Sequence, residues 1–122
     1  MSKKTLEQAK EALKEKFADQ IKKWKSEFGQ IKIFYVGDVD NLKAVFFKQP
    51  NRHQLAAAEN ISTAESGKVD LYLKGERQIT DCYVGGDLTV EQILSDTSVY
   101  MPAIKFVLFN LVVEKKSSWE DC

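Results

Sequence analysis

Apolar residues recur at steps of three and four near the start of the chain: Leu6, Ala9, Leu13, Phe17, Ile21, Trp24 and Phe28. That spacing puts them on one stripe and predicts an amphipathic helix over residues 5–28. Thr5 is placed to cap it and Gly29 to stop it. At ~1.5 Å per residue such a helix is about 36 Å long, so its N-terminal half is expected to project past a small core. The pattern then changes. Residues 31–36 are β-branched and aromatic, 37–41 (Gly-Asp-Val-Asp-Asn) form a turn, and 42–47 return as a second strand, which predicts a β-hairpin.

Residues 44–55, Ala-Val-Phe-Phe-Lys-Gln-Pro-Asn-Arg-His-Gln-Leu, are the most distinctive stretch. Pro50 has no N–H for a ladder and ends the strand. Asn51 caps a helix expected to run to about residue 66, where Gly67 closes it, with Arg52 and His53 in its first turn. Over 69–84, Val69, Tyr72, Leu73, Ile79, Cys82 and Tyr83 fit helical steps. A helix is therefore preferred to the competing strand pair around Lys74-Gly75-Glu76-Arg77, although Gly75 falls in its middle, and Gly85-Gly86 ends it. Thr89 and Gln92 have the spacing of a capping box for a short helix to about residue 95. Ser98 is expected to cap a last helix over 99–115, with Pro102 in its first turn and Ile104, Val107, Leu108, Leu111 and Val112 on a wide core face. The expected fold is α+β: a long N-terminal amphipathic helix, a β-hairpin, and a small bundle of three to four helices. It is expected as a single domain over 1–122, with 31–115 as the core and 117–122 as a flexible polar tail.

Composition narrows the function classes. At 122 residues the chain can bury roughly two thirds of its unfolded surface without disulfides or metal. Hydrophobic residues make up 43% and charged residues 30%, which separates it from disordered chains. Lys and Arg balance Asp and Glu at 18 each, so there is no bulk attraction to nucleic acid or to an anionic membrane. The charge is uneven, however: residues 1–30 carry eight Lys against five acids, and the remainder is acidic by the same margin. That suits docking of the helix on the body, or a protein partner. Two cysteines, Cys82 in an apolar run and Cys122 at the end, make no disulfide framework, which favours a reducing, cytoplasmic setting. No secretory signal is read at the start, and the apolar run 99–113 is too short to span a membrane.

Candidate chemistry is sparse. His53, the single histidine, has Asn51, Arg52 and Gln54 beside it and no carboxylate to orient it as a base. Cys82 follows Asp81, which raises a thiol pKa instead of lowering it. Gly85-Gly86-Asp87 is too short for a phosphate loop and lacks its Lys. Asp38 and Asp40 lack the rest of a calcium loop. No cofactor or metal is expected. Phe34, Tyr35, Phe46 and Phe47 with Lys32, Lys43 and Lys48 would make a stacking platform for single-stranded nucleic acid if the rings were exposed, but strand alternation assigns half of them to a core.

The order of parts resembles the small tail assembly chaperones of long-tailed bacteriophages and prophages. The resemblance rests on an aromatic strand with Phe46-Phe47, then Lys48-Gln49-Pro50-Asn51-Arg52 opening a helix, then Asp81-Cys82-Tyr83-Val84-Gly85-Gly86-Asp87, a short helix and a final apolar helix. It covers residues 31–115. The chain departs from the family in its helix over 5–28 and in Asn51, where Ser or Thr is common. The resemblance implies a non-enzymatic protein of the host cytoplasm that coats a helical, aggregation-prone tape measure protein. The contact residues expected for that partner are Leu13, Phe17, Ile21 and Trp24 on the helix stripe, together with Arg52. Two other classes stand beside it: an adaptor that forms homo-oligomers through helix 5–28, and a single-stranded nucleic-acid-binding module.

Overall fold

The computed structural model describes residues 5–63 and 70–111, with 118, 120 and 121. The ends expected near 66–67 and 115, the apolar Val69, Cys122 and most of the polar tail lie outside the described residues. The chain is α+β: among the described residues it has six α-helices and a three-stranded antiparallel sheet.

The N-terminal stripe forms two helices, α1 (Leu6–Lys16) and α2 (Ala18–Phe28), and not one. Thr5 opens α1 with a capping box in which Thr5 Oγ1 accepts from the Gln8 N–H and Gln8 Oε1 accepts from the Thr5 N–H. Gly29, at φ 83°, closes α2. The chain bends at Phe17, whose φ and ψ are −102° and 12°. The Phe17 N–H still reaches the Leu13 carbonyl and the Ile21 N–H reaches that of Phe17, so the helical hydrogen bonds run through the bend. No Pro or Gly stands there. The bend seats the Phe17 ring edge-on against Phe46, with centroids 5.1 Å apart, and the pair therefore follows the sheet instead of projecting from it.

The sheet has the order β1 (Ile31–Val36), β2 (Lys43–Lys48), β3 (Tyr83–Gly86), with a single helical turn at Val39–Asn41 between the first two. Register runs from Ile31 opposite Lys48 to Val36 opposite Lys43. β2 is central, and Ala44, Val45, Phe46 and Phe47 are all fully buried. Strand alternation sends Ala44 and Phe46 to one face and Val45 and Phe47 to the other. The first face is covered by α1 and α2 through Leu13, Phe17, Ile21 and Trp24. The second is covered by α4 (Leu71–Cys82), α5 (Val90–Ser95) and α6 (Thr97–Phe109), with Ile79, Cys82, Ile93, Ala103, Ile104, Val107 and Leu111 at its centre. The sheet is thus sandwiched between two helical layers, and three of the four rings considered as a nucleic-acid platform are inside: Phe34, Phe46 and Phe47 are buried, and Tyr35 is half-buried.

The third strand corrects the expectation that Gly85-Gly86 merely ends a helix. Asp87 fastens it: its N–H donates to the Ala44 carbonyl (2.8 Å), and its carboxylate accepts from the Ala44 N–H (2.9 Å) and from Lys16 Nζ (2.8 Å). Gly86 has φ 139°, and a Cβ there would lie 2.4 Å from the Ala44 carbonyl oxygen, so only glycine fits. The register slips between Phe46 and Phe47, a bulge that turns both Val84 and Gly85 toward the α1–α2 side.

The region 71–82 is helical, as preferred, and Asp70 caps it. α3 (Arg52–Thr63) packs on α4 and opens with a reciprocal pair: Asn51 Oδ1 accepts from the Gln54 N–H and Gln54 Oε1 from the Asn51 N–H. Thr89 and Gln92 form the expected capping box on α5. α6 is capped by Asp96 and not by Ser98. Asp96 Oδ1 accepts from both the N–H and the hydroxyl of Ser98 at 3.0 and 2.6 Å, so the helix starts earlier and Pro102 falls inside it, past the first turn. Both Pro102 and Ser98 are exposed, so the carbonyl left without its helical donor can be met by water.

Candidate functional site

The expected contact residues are divided by the fold. Phe17 is buried, and Leu13, Ile21 and Trp24 are half-buried against the sheet. Trp24 lies 5.0 Å from the Phe46 ring and so close over Gly85 that a Cβ there would come within 2.6 Å of the indole. Their stripe is spent on the protein's own sheet. Leu6 and Phe28, at its two ends, remain exposed. Arg52 is exposed in the first turn of α3, as is His53. No hydrogen bond, ion pair or ring contact links Arg52 to the stripe among the described residues.

The nucleophile and metal candidates have structural explanations. Cys82 is fully buried in the larger core; burial, and next the Asp81 charge, push its thiol up to about 11. No group of three or more His, Cys, Asp or Glu among the described residues is arranged to hold a metal ion. Gly85-Gly86-Asp87 is the closure of β3. Asp38 precedes the helical turn after β1 and Asp40 lies within it.

The helical layer leaves several large apolar side chains in water. Tyr72 is 51% exposed and Leu73 41%. Leu73 and Leu94 face each other across a shallow crevice of about 260 Å³, with Glu76, Arg77 and Thr80 on its walls. Residues 73, 76, 77 and 80 share one face of α4 by helical spacing. The Tyr72 ring stacks on that of Tyr100, with centroids 6.3 Å apart and planes 11° from parallel. The Tyr100 hydroxyl donates to Glu76 Oε1 at 2.7 Å. Burial, and then this bond and the Glu76 charge, push that phenol up to about 12, so it stays neutral and keeps donating. Arg77 is held by Asp81 at 2.8 Å, which fixes the crevice wall. The surface therefore offers two apolar side chains and a pinned tyrosine pair rimmed by both charge signs.

Tyr72 and Leu73 fit helical steps with the buried Ile79 and Cys82, a pattern that would bury them too. The signal against this is Gly75. It is buried against Ile104, and Leu73 stands two positions away, about 200° round the helix. A helix that buries position 75 turns Leu73 outward.

A second crevice, of about 470 Å³, lies where the sheet extends beyond the α1–α2 layer at β1, and is lined by Lys14, Ala18, Ile21, Lys25, Ile31 and Ile33. Among the described residues no helix is long and apolar enough to cross a membrane. No protein-family model matches this chain, and no curated protein or solved structure matches it significantly.

Proposed function

We propose that this protein acts by binding another protein and not by catalysis, as a tail-assembly chaperone that shields apolar helical stretches of a tape measure protein in the host cytoplasm while a phage tail is built around them. The observation that carries this reading is the surface formed by the exposed Tyr72 and Leu73 with the half-buried Leu94 and Tyr100, which presents large apolar groups on the helical layer. An amphipathic helix laid across the Leu73–Leu94 crevice hides apolar surface on both partners. Completing the burial of a few half-exposed side chains yields roughly 3–5 kcal/mol before the costs of association. A single site is then weak and reversible, and many copies along one long partner supply the hold. Reversibility is what a chaperone needs when the tube displaces it.

The test is co-expression with tape measure segments and capture of the complex. Leu73→Asp, with its fold checked by thermal melting, is expected to lower capture at least about tenfold, the effect of one lost anchor. Trp24→Ala is expected to lower stability and leave capture per folded molecule unchanged. Undiminished capture by a folded Leu73→Asp protein refutes the surface.

A further inference from the structure

We propose that the open edge of β1 receives an extended segment of a partner protein, added antiparallel or parallel as a fourth strand, whose acidic flanking residues meet Lys14 and Lys25. This site is separate from the Leu73–Leu94 surface and does not depend on it. β1 is an edge strand, paired on one side with β2 over its whole length.

The direction of its free backbone groups follows from β3. The carbonyl of Ala44 accepts from the Asp87 N–H, and the Ala44 N–H donates to the Asp87 carboxylate, so both polar groups of Ala44 turn away from β1. Tyr35, directly opposite Ala44, is therefore in a pair that exchanges no hydrogen bonds. Alternation along the ladder makes Ile33 opposite Phe46 and Ile31 opposite Lys48 the same kind. The N–H and C=O of Ile31, Ile33 and Tyr35 thus point out of the sheet at its open edge. Among the described residues no turn, loop or cap backbone group bonds to positions 31–36.

The two edges are treated differently. β3 is four residues long, bulged and ends in two glycines, devices that discourage strand addition. β1 is six residues long and pairs in unbroken register, with no proline. The same three residues turn their side chains to the α1–α2 face, and the 470 Å³ crevice opens there beside Ile31 and Ile33, with Ala18 and Ile21 as its other wall. An added strand would place its alternate side chains in this crevice.

Charge decides the occupant. The crevice lining includes two lysines and no acid. Glu11 lies 3.5 Å from Lys14 in an exposed pair, which contributes little, and no ion pair or ring contact engages Lys25 among the described residues. Pairing β1 with β1 of a second copy would bring two such lysine-lined walls together, whereas a foreign segment with alternating apolar residues and acidic flanks satisfies both the backbone edge and the lysines.

The test uses the full chain, isotope-labelled, with the peptide Glu-Val-Thr-Val-Thr-Val-Glu, capped at both ends, as probe. The amides of Ile31, Ile33 and Tyr35 are expected to exchange at least about tenfold more slowly with peptide present. Ile33→Pro removes an outward N–H while leaving the bonds to β2, and is expected to weaken binding at least about tenfold. Lys14→Glu with Lys25→Glu is expected to do the same, and decides the matter if the proline variant fails to fold. The proposal is overturned by no binding at about 1 mM peptide, by equal binding of a Lys-flanked peptide, or by binding without protection of those three amides. A dimer in sedimentation that Ile33→Pro dissociates also overturns it, because a second copy then occupies the edge.

Discussion

Gly75→Ala sets two known effects against each other at one buried atom. Alanine in a helix interior is worth about 0.8–1.0 kcal/mol over glycine, and α4 would gain it. The new Cβ, however, lies 2.7 Å from Ile104 Cδ1 and 3.0 Å from its Cγ2, inside the core between α4 and α6. Overpacking of this kind costs about 1–3 kcal/mol, so the net expectation is a loss of about 1 kcal/mol, a fall in Tm of roughly 4 °C for a domain of this size. Ile104→Val removes the nearer clashing atom and alone costs about 1 kcal/mol. Combined, the two changes are expected to lie near the wild type, because the valine vacates the space that the alanine fills. The cycle should therefore show a favourable coupling of about 1–2 kcal/mol. Urea unfolding followed by tryptophan fluorescence measures all four proteins, with the midpoint read at constant slope. If Gly75→Ala alone is stabilising by its full helical amount, or if the two changes simply add, the packing argument for Gly75 is wrong.

Three further outcomes are expected. Gly86→Ala should cost about 3 kcal/mol by the same unfolding assay, since a side chain at φ 139° is strained and its Cβ meets the Ala44 carbonyl and Val45 Cα. Asp87→Ala should cost about 2–3 kcal/mol by leaving the Ala44 N–H without its acceptor and releasing Lys16, and Asp87→Asn, which keeps an acceptor oxygen, should cost less. For Cys82, the folded thiol keeps its proton up to about 11 while the unfolded one loses it near 9.0. The folded state therefore binds more protons between those values, and stability falls as pH rises through them; the slope should be shallower in Cys82→Ala, and equal slopes would contradict the burial.

Much of the fold could be read locally. Capping residues set the starts of α1, α3 and α5 because a side-chain oxygen and an N–H three residues on make a pair independent of the rest of the chain. Asp96 displaced Ser98 at α6 because a carboxylate two residues upstream reaches both the N–H and the hydroxyl of that serine, a competition that inspection of Ser98 alone does not reveal. β3 was hidden for a different reason. Tyr83-Val84-Gly85-Gly86 has neither the length nor the alternation of a strand, and it pairs only because Asp87, with Ala44 some forty positions earlier, closes the ladder. Glycine at 86 looked like a stop signal, whereas it is the one residue that lets the backbone approach Ala44.

The stripe expected to meet a partner covers the protein's own sheet, an outcome that periodicity cannot resolve. A stripe such as Leu13, Phe17, Ile21, Trp24 establishes that one helix face leaves water, and says nothing of whether its cover belongs to the same molecule. β2 decides which cover the stripe meets. Four consecutive apolar residues, Ala44, Val45, Phe46 and Phe47, give a strand two greasy faces, and a hairpin with two such faces needs two covers. The helices after residue 70 supply one, and α1 and α2 supply the other. Once both are assigned, the apolar side chains left over include Leu71, Tyr72 and Leu73 on α4, Met101 and Phe109 on α6, the last 74% exposed, and Leu6 and Phe28 at the ends of the N-terminal stripe. Surface available to a partner is therefore found by subtraction. The N-terminal helices enter the binding argument through their flank, where Ala18 and Ile21 stop short of covering β1 and leave a strand edge bordered by lysines.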